Sequence, residues 1–297
     1  MAVKKESYSF NDETISIIDQ ELGINIELSA DLPKLPKDLK ETQEMGKKGL
    51  KLITLKNSSD VIYQAHLEKA GLFHGQWQLY YPGGSLKGDV FYCNGTLFGP
   101  SSFFSESGKL ISRTWFIEGK RHGKAYQYYL SGKLYSLQRY NMGLKEGKQE
   151  YYYENGSLKT LMYFEKGLQE KTTKLYYPNR QLKREIEFKE GKKMGADRFW
   201  NANGLLTEES FYKGHLRHQS YRRWHLNGQL AIENIYHIPP DLFDESIYNK
   251  AGTLIRQGTY NSKDHSYLRT VFNDQGEVLS CSKLKWENEK LVLISDE

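Results

Sequence analysis

Apolar and polar residues alternate in short runs along most of this chain, and glycines close the runs. Glu150-Tyr151-Tyr152-Tyr153 reads as a strand, Glu154-Asn155-Gly156 as a turn, and residues 157–164 as a returning strand. Asn-Gly predicts a two-residue turn with positive φ at both positions. Glu165-Lys166-Gly167 then starts the connection to the next hairpin. Period two puts Leu158, Thr160, Met162 and Phe164 on one face, and Lys159, Leu161 and Tyr163 on the other.

The pattern recurs every 24 residues. Stepping from Gly84 gives Gly108, Gly132, Gly156, Arg180, Gly204, Gly228, Gly252 and Gly276. Two residues later stands a column of leucines, from Leu86 to Leu254, with Val278 last. Four residues before the glycine every position is aromatic: Tyr80, Phe104, Tyr128, Tyr152, Tyr176, Trp200, Trp224, Tyr248 and Phe272. A second aromatic column runs from Tyr92 to Tyr260, six positions after the leucines, and is expected on their face. Further glycine columns start at Gly71 and Gly75. They are regular to about Gly195 and degenerate beyond it: His215 replaces one glycine, with Gly214 a place early, and Pro239-Pro240 is the largest irregularity.

A self-similar hairpin cannot bury its apolar face alone, so neighbours must stack. The expectation is an all-β, elongated antiparallel sheet of tandem hairpins, with a short N-terminal extension. Its parts are residues 1–46, an acidic extension or cap; 47–75, a degenerate capping repeat; 76–283, the array; and 284–297, a C-terminal cap. Residues 15–26 fit a short strand or a helix, and residues 32–36 an extended stretch.

Composition supports this picture. There are 22 Tyr and 26 Gly but only 7 Pro, which suits short strands joined by glycine turns. The two cysteines, Cys93 and Cys281, make neither a disulfide framework nor a metal set, and read as reduced thiols in a cytoplasmic protein. No apolar h-region and no membrane-spanning run is present. The net charge of +5 divides into −5 over residues 1–46 and +10 over the rest.

Glu118-Gly119-Lys120-Arg121-His122-Gly123, followed by Lys124-Ala125-Tyr126, resembles the MORN repeat. Units such as Tyr152-Tyr153-Glu154-Asn155-Gly156-Ser157-Leu158-Lys159 look more like the MORN-like repeat of bacterial YwqK-type antitoxin proteins. The resemblance covers about residues 71–280. It implies a hairpin sheet used in protein contacts and, on the antitoxin side, a toxin partner. Binding to acidic lipid is a further implication, from eukaryotic MORN proteins. Lys171 and Arg180 stand where glycine is expected, which puts the turn geometry of that unit in question.

No catalytic constellation, cofactor motif or metal-ligand spacing emerges, so the chain reads as a non-enzymatic scaffold. The sharpest candidate site is the basic column Lys174, Arg198 and Arg222, two residues before Tyr176, Trp200 and Trp224 and expected on their face, with Arg217 and Arg223 nearby. Guanidinium beside Trp suits phosphate or carboxylate. The plain alternative is a solvated basic face over a structural aromatic ladder. The loop Lys120-Arg121-His122 is a second candidate, with local packing as its alternative. Three partner classes follow: a protein, acidic or a toxin; an anionic lipid surface; and a sugar or nucleic acid on the aromatics. Aromatics that recur in every unit argue against nucleic acid.

Overall fold

The computed structural model describes residues 38–46, 49–237, 243–287 and 290–296. Residues 15–26, residues 32–36 and Pro239-Pro240 lie outside them. Twenty-three strands, from β1 (Lys40–Met45) to β23 (Lys290–Asp296), form one antiparallel sheet. Each strand pairs with its neighbours in sequence, as β12 (Leu158–Glu165) does with β11 (Gly147–Tyr152) and β13 (Leu168–Tyr176). The sheet is open: among the described residues no pairing joins β1 to β23. It takes in Lys40–Met45 from the segment read as the N-terminal extension, and Leu50–Lys56 and Ile62–Lys69 from the degenerate repeat.

Two turn types alternate, and their places are the reverse of the sequence expectation. Glu165 pairs with Leu168, so Lys166-Gly167 is itself the two-residue hairpin turn. Both residues have positive φ, 50° and 83°, as a type I′ turn requires. Ala70-Gly71, Asn94-Gly95, Glu118-Gly119, Met142-Gly143 and Glu190-Gly191 repeat this geometry. Gly214-His215 keeps it too, with the glycine in first place and His215 at φ 73°.

At Glu154-Asn155-Gly156, by contrast, only Gly156 turns left-handed. The Gly156 amide donates to the Tyr153 carbonyl at 2.8 Å and the Tyr153 amide to Ser157 at 2.9 Å. This is a three-residue loop, a type I turn closed by a left-handed glycine. Asn155 serves through its side chain, which accepts from the Ser157 amide and hydroxyl. Arg180 adopts the same conformation at φ 71°, and its amide reaches the Tyr177 carbonyl at 2.9 Å. Lys171, at φ 62°, also matches its glycine column. The geometry of this unit is therefore intact.

A bulge follows each three-residue loop and corrects a second expectation. Tyr151 pairs with Thr160 but Tyr152 pairs with Leu158, so Lys159 is the extra residue. One extra residue inverts the alternation. Leu158 thus shares a face with Tyr152, while Phe164 packs with Tyr151 and Met162 on the other. The leucine column and the second aromatic column lie on opposite faces. The buried face carries Trp77, Leu79, Val90, Met162, Phe164 and Ile186. The open face carries the first aromatic column, half-buried throughout.

Two predictions follow from this backbone and its packing. A non-glycine residue in left-handed conformation costs about 1–2 kcal/mol. Arg180→Gly is therefore expected to raise unfolding free energy by about 1 kcal/mol in urea titration, with the slope unchanged. Near the C-terminal end, a Cβ at Gly258 would lie 1.7 Å from the Tyr267 hydroxyl, so Tyr267 sits over a position only glycine fits. Burial, with Glu245 adding, pushes the Tyr267 phenol from 10.0 up to about 12. The folded state holds it neutral where the unfolded chain ionises. Its contribution is complete below pH 10 and is lost as the pH rises through about 12. The loss is roughly 3 kcal/mol. Tyr267→Phe should remove that alkaline fall from the stability–pH curve.

Candidate functional site

The turns position the side chains of both faces. Each tight-turn glycine donates its amide to the chain 22 residues earlier, as Gly143 does to the Arg121 carbonyl at 2.8 Å and Gly167 to Lys145 at 2.9 Å. The first turn residue is met by a side chain: the Met142 amide donates to His122 Nδ1 at 3.4 Å and the Lys166 amide to Glu146 at 2.8 Å. His122 therefore holds the next turn. Arg121 lies with its guanidinium 5.3 Å from the Tyr140 ring and bonds its hydroxyl at 3.2 Å. Arg217 repeats this on Tyr236 at 3.1 Å and lies 4.9 Å from the Tyr221 ring. Lys120 pairs with Ile117 across the tight turn. At the other edge of the sheet, tyrosine hydroxyls link units: Tyr129 to the Tyr152 carbonyl at 2.7 Å, Tyr153 to Tyr176 at 2.8 Å, and Tyr177 to Trp200 at 3.0 Å. His225 makes the same link to Tyr248.

The basic column lies on the open face and every member has a carboxylate. Lys174 Nζ meets Glu185 at 2.8 Å, Arg198 Nε meets Glu209 at 2.7 Å, and Arg222 Nε meets Glu233 at 2.7 Å. Arg222 also reaches Glu209 at 3.7 Å, which joins two rungs. These are cross-strand pairs: Lys174 stands opposite Glu185, Arg198 opposite Glu209 and Arg222 opposite Glu233. The hydrogen bond from Glu185 raises the Lys174 pKa against the opposing effect of burial. Trp200 and Trp224 are half-buried beside this ladder, and Arg223 is exposed on the opposite face. The structure thus brings the predicted cations together as an alternating ion-pair ladder.

The open face differs near the Gly119 turn. Trp115, Ile117, His122, Gly123, Lys124 and Tyr126 line a concavity of about 340 Å³. Trp115 is 39% exposed and Phe98, on the preceding strand, 51%. Tyr126 stacks on Tyr128 with centroids 6.4 Å apart and planes at 13°. Tyr126 occupies the column position held by Lys174 and Arg198 in later units, and its cross-strand partner is Arg113, in the column of Glu185 and Glu209. Arg113 donates to the Ser102 hydroxyl at 3.0 Å. The sequence reading passed over Arg113, Trp115, Lys124 and Tyr126, although the broken column alternation marks them.

The ladder makes its own prediction. A cross-strand pair about one-third exposed contributes roughly 0.5–1 kcal/mol. A double-mutant cycle on Arg198→Ala and Glu209→Ala should give a coupling energy of that size, falling in high salt. A coupling of zero would mean that the two side chains do not pair in solution.

Comparison with known proteins fits this architecture. The MORN repeat variant matches residues 73–94, 121–142 and 145–166. A comparison with curated proteins returned no match. Among solved structures, the TcdB2-TccC3 structure without its hypervariable C-terminal region is 10% identical, with 79% of this chain covered and a TM-score of 0.19. This chain spans 15% of its length. A porin-like protein from Bacteroides uniformis is 9% identical, with 89% of this chain and 96% of that one covered and a TM-score of 0.14. Those scores carry no argument, and the assignment rests on the matched units and their common turn geometry: the chain is a MORN-like repeat protein with an open antiparallel sheet.

Proposed function

We propose that this repeat sheet is a non-catalytic scaffold that binds a protein partner on its open face, at the concavity around Trp115. The observation that carries this reading is an accessible tryptophan, stacked tyrosines and an apolar hollow on a face whose later units are ion-paired. Exposed aromatic residues around a hollow are the usual anchors of protein interfaces. An anionic membrane surface draws on unpaired cations, and the Lys174, Arg198 and Arg222 pairs weigh against it. The exposed free thiol of Cys93 is consistent with a reducing, cytoplasmic setting. Neutralisation of a toxin is the form such binding takes if the likeness to YwqK-type antitoxins extends to function.

Trp115→Ala is expected to weaken a partner captured from native cytosol by about 2 kcal/mol, roughly 30-fold, in a quantitative binding assay. Arg198→Ala, at a paired position, should change it by less than about 0.5 kcal/mol. Flotation of the wild-type chain with acidic vesicles, together with indifference of partner binding to Trp115→Ala, would refute the reading.

A further inference from the structure

The chemistry around the Trp115 hollow also indicates what kind of segment it takes. This step rests on the protein-binding reading above and narrows it. On the open face, cations and carboxylates alternate in the later units: Lys174–Glu185, Arg198–Glu209 and Arg222–Glu233. Arg139, at the next pair of strands, is held by Glu150 at 3.0 Å. Around the hollow the alternation fails. Arg113 has Ser102 and Tyr126 as cross-strand neighbours, and its hydrogen bond goes to a neutral hydroxyl. Lys124 is exposed on the rim. Asp89, one strand beyond Ser102, accepts from Gln76. Among the described residues, neither Arg113 nor Lys124 has a carboxylate within 4.0 Å. Two unneutralised cations therefore flank an apolar hollow with an exposed indole, at the one stretch of the face where the cross-strand carboxylates are replaced.

We infer that the hollow receives an acidic peptide segment, with one large apolar side chain against Trp115 and Tyr126 and its carboxylates on Arg113 and Lys124. The volume, about 340 Å³, suits one or two side chains. A nucleic-acid strand would require a track of free cations along successive phosphates. A vesicle surface would require several more. Neither track exists here, because the neighbouring cations are paired. A carboxylate on Arg113 gains a charge-assisted bond that the Ser102 hydroxyl does not supply.

The test selects random displayed peptides on the full chain and counter-selects on its Trp115→Ala variant. A selected peptide is then synthesised for titration. The expected peptides are rich in Asp and Glu around one aromatic or large aliphatic residue. Arg113→Ala combined with Lys124→Ala should weaken the titrated peptide at least roughly tenfold, about 1.4 kcal/mol. Binding should fall with salt, and Arg198→Ala should leave it within about twofold. Lys124→Glu, at an exposed position, serves as a second variant should the double substitution unfold the chain; its effect must match in direction. Peptides that need Trp115 but show no acidic bias, or ignore Arg113 and Lys124, would overturn this inference and leave the protein-binding reading standing. Selection of no Trp115-dependent peptide would overturn both. Tighter binding of labelled oligothymidine or of phosphatidylserine vesicles at the same residues would reassign the site and overturn the peptide.

Discussion

Left-handed backbone at fixed places in each unit is the constraint on which the sheet depends. At the tight turn two successive residues take positive φ, which aims the second amide back along the array. Gly95, Gly119, Gly143, Gly167 and Gly191 all donate in this way to the unit before them, at 2.7–2.9 Å. Adjacent turns are therefore held at one offset, and the strands between them inherit a single register. Glycine is favoured in second place because the conformation carries no penalty there. The first place tolerates Ala70, Asn94, Glu118, Met142, Lys166 and Glu190. A side chain from the preceding unit compensates at some of these positions, as His122 does for Met142 and Glu146 for Lys166. Register then decides the faces. Because the bulge at Lys159 inverts parity within the returning strand, the turn and the bulge together choose which columns become core.

Much of this was legible in the sequence, and the exceptions share a cause. The 24-residue period, both aromatic columns and the all-β class follow from residue identity at fixed spacing. Turn type does not. Asn155-Gly156 has the composition of a two-residue turn, yet Asn155 stays right-handed and spends its side chain on Ser157. Lys166-Gly167 is the two-residue turn, although lysine rarely announces positive φ. The bulge was equally hidden, because Lys159 looks like any other outward polar residue. Arg180 and Lys171 show the opposite case, in which neighbouring units impose a conformation that the local residue disfavours.

The same limit governed the candidate site. Lys174, Arg198 and Arg222 stood out because cations recur beside aromatics. Their partners lie 11 residues on, at Glu185, Glu209 and Glu233, and only the bulged register makes 11 a cross-strand distance. A basic column read alone suggests a surface waiting for an anion. Read with its register it is a neutralised ladder, and the +10 balance of residues 47–297 is carried elsewhere.

An array of this kind can vary one unit without disturbing the rest. Stability is close to a sum over neighbouring strands, so a unit that keeps its turns can exchange its open-face residues at small cost to the others. The unit around the Gly119 turn does so. Its turn geometry and its buried Ala125 follow the pattern, while Tyr126 and Arg113 replace the cation and carboxylate found at the same columns in later units. Fold requirements show themselves as columns that persist, because each rung needs them. Binding requirements are free of that repetition, and they show themselves where a column on the solvent side changes chemistry while the turns beneath it do not. On that criterion the recurrent aromatics and the ion-pair ladder are architecture, and the interruption at Arg113, Trp115, Lys124 and Tyr126 is where a partner would be chosen.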